Sequence, residues 1–143
     1  MLKVMLLLHV IGAVGMGFYI VLPIMLGRAS KLAGMGQSGL AEGLLPANRI
    51  AQYFLVLQLL TGGYLMSQND YAVIWMIIVT LLFLGIAALG GIVTKPLKKI
   101  VEAIQNGQST DAHIKKARAL SLIVLVLYIV VIYFMKYPIY EIA

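Results

Sequence analysis

Chemistry in this chain narrows to one imidazole. There are two histidines and no cysteine. His9 stands inside an apolar run, whereas His113 stands beside Lys115 and Lys116. An ionisable group within a membrane helix leans towards function. On the helical face of His9, at i−4, i+3, i+4 and i+7, stand Met5, Gly12, Ala13 and Met16. Glycine and alanine beside an imidazole leave a flat shelf. Haem b needs that arrangement, with a nitrogen for iron and no bulky side chain under the ring. The candidate cofactor-binding residues are therefore His9, Gly12, Ala13 and Met16, with His9 as the metal ligand. A quinone head group hydrogen-bonded to His9 suits the same shelf. With no cofactor, His9 would hydrogen-bond to a backbone carbonyl, or to Gln58 or Thr61 on a neighbouring helix.

Other chemistry is thinly supported. The lack of cysteine excludes disulfides, thiolate metal sites and cysteine nucleophiles. Paired carboxylates, a His-x-x-x-His pair, a phosphate loop and a nucleophile elbow are all missing from the sequence. No Asp or Glu falls inside the apolar runs, which weighs against a proton- or cation-coupled transporter.

The elements that must position His9 are four apolar stretches, at residues 2–26, 50–66, 72–93 and 119–135. About 20 helical residues cross a bilayer. Hydrophobic residues make up 62% of the chain and charged residues 11%, against about 25% charged in soluble domains. The expected fold is all-α: one polytopic domain of four transmembrane helices in an antiparallel bundle. The first run carries Lys3 near its start, but its apolar part is too long for a secretory h-region and is followed by no clean cleavage site, so it reads as a retained helix.

Charge and aromatics supply a direction. Arg28, Lys31, Arg49, Lys95, Lys98, Lys99, Lys115, Lys116 and Arg118 all fall in the first and third connections, out of 11 basic residues. The positive-inside rule then places those connections in the cytoplasm and both termini outside. The expected partners are the bilayer itself, with anionic lipids in the inner leaflet, and not nucleic acid. Tyr64, Tyr71, Trp75, Tyr133, Tyr137 and Tyr140 form an aromatic belt at the outer ends. His9 lies six residues past Lys3, about 9 Å down the helix and inside the outer leaflet. His113 lies on the other side of a roughly 30 Å core, so it cannot share an iron with His9 in one protomer. A sixth ligand would be a methionine such as Met66 or Met135, or His9 of another copy.

Residues 27–46 are rich in Gly, Ser and Gln and read as a flexible loop, with Pro46 and Asn48 marking the start of the second helix. That helix carries Gln52, Gln58 and Thr61. Ser67-Gln68-Asn69-Asp70 is a short turn between antiparallel neighbours. Leu97, Ile100, Val101 and Ile104 recur at helical spacing opposite Lys98, Lys99, Glu102 and Gln105, predicting an amphipathic helix on the inner membrane surface. Asn106-Gly107 ends it, and Ser109 or Thr110 caps the next helix. Two small-xxx-small pairs, Ala13/Gly17 and Ala87/Gly91, predict close helix packing and a homo-oligomer or larger membrane complex.

The opening Leu2-Lys3-x-x-x-Leu6-x-x-His9-x-Ile11-Gly12-Ala13 resembles the first helix of small bacterial four-helix integral membrane proteins. It is distantly similar to the HemJ-type protoporphyrinogen oxidases and the copper-resistance D family. The closing Met135-Lys136-Tyr137-Pro138 is similar to the Met-x-x-Pro close of the uncharacterised members. The HemJ resemblance implies haem at the first-helix histidine, here His9. The expected location is the bacterial cytoplasmic membrane. The leading expected function is haem-associated membrane redox or haem handling. A non-catalytic accessory or scaffold subunit, and a small transporter or channel, are the alternatives.

Overall fold

A computed structural model describes residues 2–68 and 70–137. Asn69 of the predicted turn, Pro138 of the closing motif and Tyr140 of the aromatic belt lie outside the described residues. Among the described residues there are six helices: α1 (Leu2–Gly15), α2 (Phe18–Ala29), α3 (Gly34–Ser67), α4 (Val73–Ile92), α5 (Thr94–Gln105) and α6 (Asp111–Lys136). They make four helical runs long and apolar enough to cross a membrane, with α1–α2 and α4–α5 each forming one run. The first run packs on α3 and α6, and α4 packs on the same two. The result is a four-helix bundle. Its core holds Met16, Tyr19, Leu22, Leu55, Val79, Ile86 and Val124, while leucines, isoleucines and valines cover the outside. An apolar exterior of this kind is the mark of a chain whose solvent is lipid. The chain is built as a multi-pass membrane protein.

The first run is not one straight helix. At Gly15-Met16-Gly17 the ladder tightens: Gly17 N–H donates to Val14 O at 3.0 Å, and Tyr19 N–H to Met16 O at 3.0 Å. Glycine is a common site for such a break. The tightened turn diverts the Gly17 N–H from Ala13 O, and Tyr128 Oη–H of α6 donates to that carbonyl at 2.8 Å.

Residues 27–46 differ from the expected loop. The connection is only Ser30–Ala33, and α3 runs for 34 residues straight through Pro46. That is about 51 Å of helix, well beyond a roughly 30 Å hydrocarbon core. Glycine and proline disfavour helix locally, but tertiary packing outweighs propensity. Here Gln37, Ala41 and Leu44 are buried on the inner face, and Gly36, Gly39 and Gly43 meet nothing. Asn48 does not cap a helix. It is buried in α3 and its amide donates to Gly90 O at 2.9 Å and Thr94 Oγ1 at 3.2 Å, tying α3 to the α4–α5 joint.

The long α3 also changes the reading of α5. Leu97 and Ile100 are fully buried and Ala103 nearly so, because α5 packs on α3 and α6. The apolar face expected to enter lipid is a protein contact instead. Lys98, Lys99 and Glu102 are exposed on the other face. The helix ends where Asn106-Gly107 was expected to end it, with Gly107 at φ +66°. Gln108 N–H reaches Ala103 O at 2.7 Å and Gly107 N–H reaches Ile104 O at 3.2 Å, a Schellman closure. Thr110 precedes α6 but makes no side-chain cap. Its hydroxyl donates to Gln37 Oε1 at 2.8 Å, and Gln37 Nε2 donates to Ala29 O at 2.8 Å, so one buried amide holds both connections of this end together.

Candidate functional site

His9 sits on α1 against α3. Its Nδ1 is 2.9 Å from Thr61 Oγ1, and its Nε2 is 3.3 Å from Gln58 Nε2. The hydrogen positions follow from Thr61. That hydroxyl donates back along its own helix to Leu57 O at 2.8 Å, so its oxygen is left to accept. Nδ1 therefore carries the proton and donates to Thr61. Nε2 keeps the lone pair and accepts an amide N–H from Gln58. Gln58 Oε1 is buried with no hydrogen-bond partner among the described residues.

Glycines make this contact possible. A Cβ on Gly12 would run into Gln58 Oε1, and one on Gly15 would run into the Phe54 ring. A Cβ on Gly62 would stand 3.3 Å from His9 Cε1. Gly12 is buried at this α1–α3 seam. The expected shelf is thus divided. Its Gly12 part is covered by α3, and its Ala13 and Met16 part opens on a cavity.

That cavity has a volume of about 510 Å³ and is lined by His9, Ala13, Met16 and Gln58 on one side and by residues of α4 and α6 on the other. The volume falls in the usual range for small-molecule and cofactor sites, about 300–1,000 Å³. No Asp or Glu lines it. Met66 and Met135, named from sequence as thioether candidates, both border it. Its far wall includes Tyr71 and Trp75, stacked with centroids 4.6 Å apart. Both were expected in the interfacial belt. Trp75 is buried instead, and its indole N–H donates to Phe134 O at 3.1 Å. Tyr133 and Tyr137 are exposed.

Tyr71, Trp75, Phe83 and Tyr128 carry no mark in the sequence as cavity residues. Their types suit an interface as well as a wall, and only the rotation of α4 and α6 separates the two. Gln58 and Thr61 had a signal, since they were the polar residues of one helix face. The close-packing glycines are Gly12, Gly15 and Gly90, the last with a Cβ position 2.6 Å from Tyr19 Oη. Gly17 meets only Val14 of its own helical run, and Gly91 only Gln52.

His113 is remote from this site. It lies two residues beyond Asp111, at the end where Thr110 meets Gln37. From Gln37 to Thr61 along α3 is about 36 Å. Among the described residues, no three of His, Asp, Glu and Cys gather as a metal-binding group. An iron site here would rest on His9 and thioether sulfur, a donor set known for haem. Comparison with family models, curated proteins and solved structures finds no match for this chain.

Proposed function

We propose that this chain is a protein of the bacterial cytoplasmic membrane that holds haem in the His9 cavity, for membrane redox chemistry or haem handling. The observation that carries the reading is the Thr61–His9 contact. It fixes the proton on Nδ1 and keeps the lone pair on Nε2, the arrangement that orients metal-ligating histidines generally. Met66 and Met135 border the same cavity and would offer a thioether as second ligand. The resemblance of the first helix to HemJ-type proteins points the same way.

One residue stands against it. Gln58 already occupies the Nε2 lone pair. At 3.3 Å that bond is long, and a neutral hydrogen bond contributes only about 0.5–1.5 kcal/mol. A coordinate bond to iron outweighs that, so the donor set fits haem once the Gln58 amide turns aside. Bound there, haem would supply one-electron chemistry. The chain's own residues would orient the imidazole through Thr61, exclude water with the α4 and α6 aromatics, and leave no carboxylate near the ring.

The test is an absorbance spectrum of protein purified after haem-replete expression. A Soret band is expected, lost in His9→Ala and kept or strengthened in Gln58→Leu. A spectrum without that band, unchanged by His9→Ala, would sink the reading. The saturated Nε2 favours a second reading, in which a quinone ring carbonyl takes the Gln58 N–H in place of the imidazole. Solvent extracts of the same preparation would then contain quinone, and Gln58→Leu would deplete it.

The basic end supports a cytoplasmic placement of both connections, with both termini outside. A cysteine introduced at Lys31 would then label only after the membrane is permeabilised.

A further inference from the structure

The seam between α2 and α6 holds a second feature, independent of His9. Near the basic end a cavity of about 430 Å³ is lined by Ser30, Lys115, Arg118 and Leu122, with Asp111 its single acid. A smaller cavity of about 240 Å³ continues along the same seam, lined by Ile20, Pro23, Ile24 and Leu125. Arg118 and Leu122 border both. The two are one groove with a cationic head and an apolar tail.

Its position suits that division. From Arg118 to Lys136 is eighteen residues, about 27 Å of helix, close to the roughly 30 Å hydrocarbon thickness. Arg118 therefore stands at the level of the phosphates, and the apolar part of the groove runs into the acyl region. The guanidinium lies against Gly27 of α2: a Cβ there would be in ordinary contact, 3.5 Å from Arg118 Nη2. Arg118 has no ion-pair partner among the described residues. Asp111, two turns earlier on the same face, reduces the positive charge without neutralising it.

We propose that this groove binds one anionic phospholipid, with its phosphate on Arg118 and Lys115 and an acyl chain along Ile24, Leu122 and Leu125. Charge complementarity selects the head group, and groove length selects a lipid over a free anion. This is a specific seat, beyond the general attraction of a basic surface to anionic lipid. The proposal needs the bundle to cross a membrane and does not depend on haem.

Protein purified in detergent would be titrated with phosphatidylglycerol, phosphatidylcholine and inorganic phosphate, with bound lipid counted by native mass spectrometry. Phosphatidylglycerol should bind at one site and phosphatidylcholine more weakly. The Lys115→Gln/Arg118→Gln double variant should weaken phosphatidylglycerol binding on the order of tenfold or more, at about 1 kcal/mol per basic residue. Lys98→Gln/Lys99→Gln removes the same charge from the same end and should leave binding unchanged. Leu122→Trp, which fills the groove without altering charge, should also weaken it, and decides the matter if the double variant does not fold. Equal weakening by both double variants, equal binding of phosphatidylcholine, full binding by Leu122→Trp, or displacement of the lipid by inorganic phosphate would each overturn the proposal.

Discussion

His9 Nδ1 and Thr61 Oγ1 lie 2.9 Å apart, joining α1 to α3 across 52 residues of chain. The contact is both a packing link and an orienting one. Thr61→Val removes the acceptor while keeping the shape. Membrane hydrogen bonds contribute about 0.6 kcal/mol on average and at most about 1.7, so the fold should survive with a small loss. Any haem should then remain bound but with a shifted reduction potential or spectrum, because the tautomer is no longer held. Equilibrium unfolding in detergent and a redox titration check the two halves.

Glycines of the first and second runs should respond in opposite directions. Gly15→Ala drives a methyl group into the Phe54 ring and should destabilise by about 1–3 kcal/mol. Gly39→Ala points into open space from within α3 and should stabilise by about 0.5–1 kcal/mol. Thermal denaturation followed by circular dichroism reads both. A flexible loop at residue 39 would show no gain.

Tyr128→Phe tests the break in the first run. It leaves the Ala13 carbonyl without the hydroxyl that now meets it at 2.8 Å. A loss of about 0.6–1.7 kcal/mol is expected, the range for side-chain hydrogen bonds within membrane bundles. Ala13 also borders the cavity, so ligand occupancy should fall with it. Unchanged unfolding would mean that Ala13 O finds another donor.

Leu97→Ala distinguishes a protein contact from a lipid anchor. Leu97 is fully buried, so the substitution should cost about 2–5 kcal/mol. Lys98→Ala, one residue on and exposed, should change stability by less than about 0.5 kcal/mol. Equal, small effects would return α5 to the membrane surface.

What the chain determined by itself follows from local rules. Apolar runs of membrane length make four helical spans whatever their neighbours, because backbone groups in lipid must bond within the helix. The end of α5 at Asn106-Gly107 was also legible, since a positive φ at residue 107 falls naturally to glycine. His9 stood out for its chemistry alone, and Gln58 and Thr61 could be named as its neighbours from the polar face they share.

Tertiary structure decided the rest. Residues 34–46 look like a loop from their glycines and proline, yet form helix because Gln37, Ala41 and Leu44 find a surface to bury against. That extension then covers the apolar face of α5, which the sequence pattern suits to the membrane surface or to a docking partner. Helix rotation decided that Trp75 lines a cavity and that Gly12 faces α3. Periodicity reports which residues share a face. It carries no information on what that face meets, and for a helix with apolar residues all round, lipid and protein are equally acceptable partners.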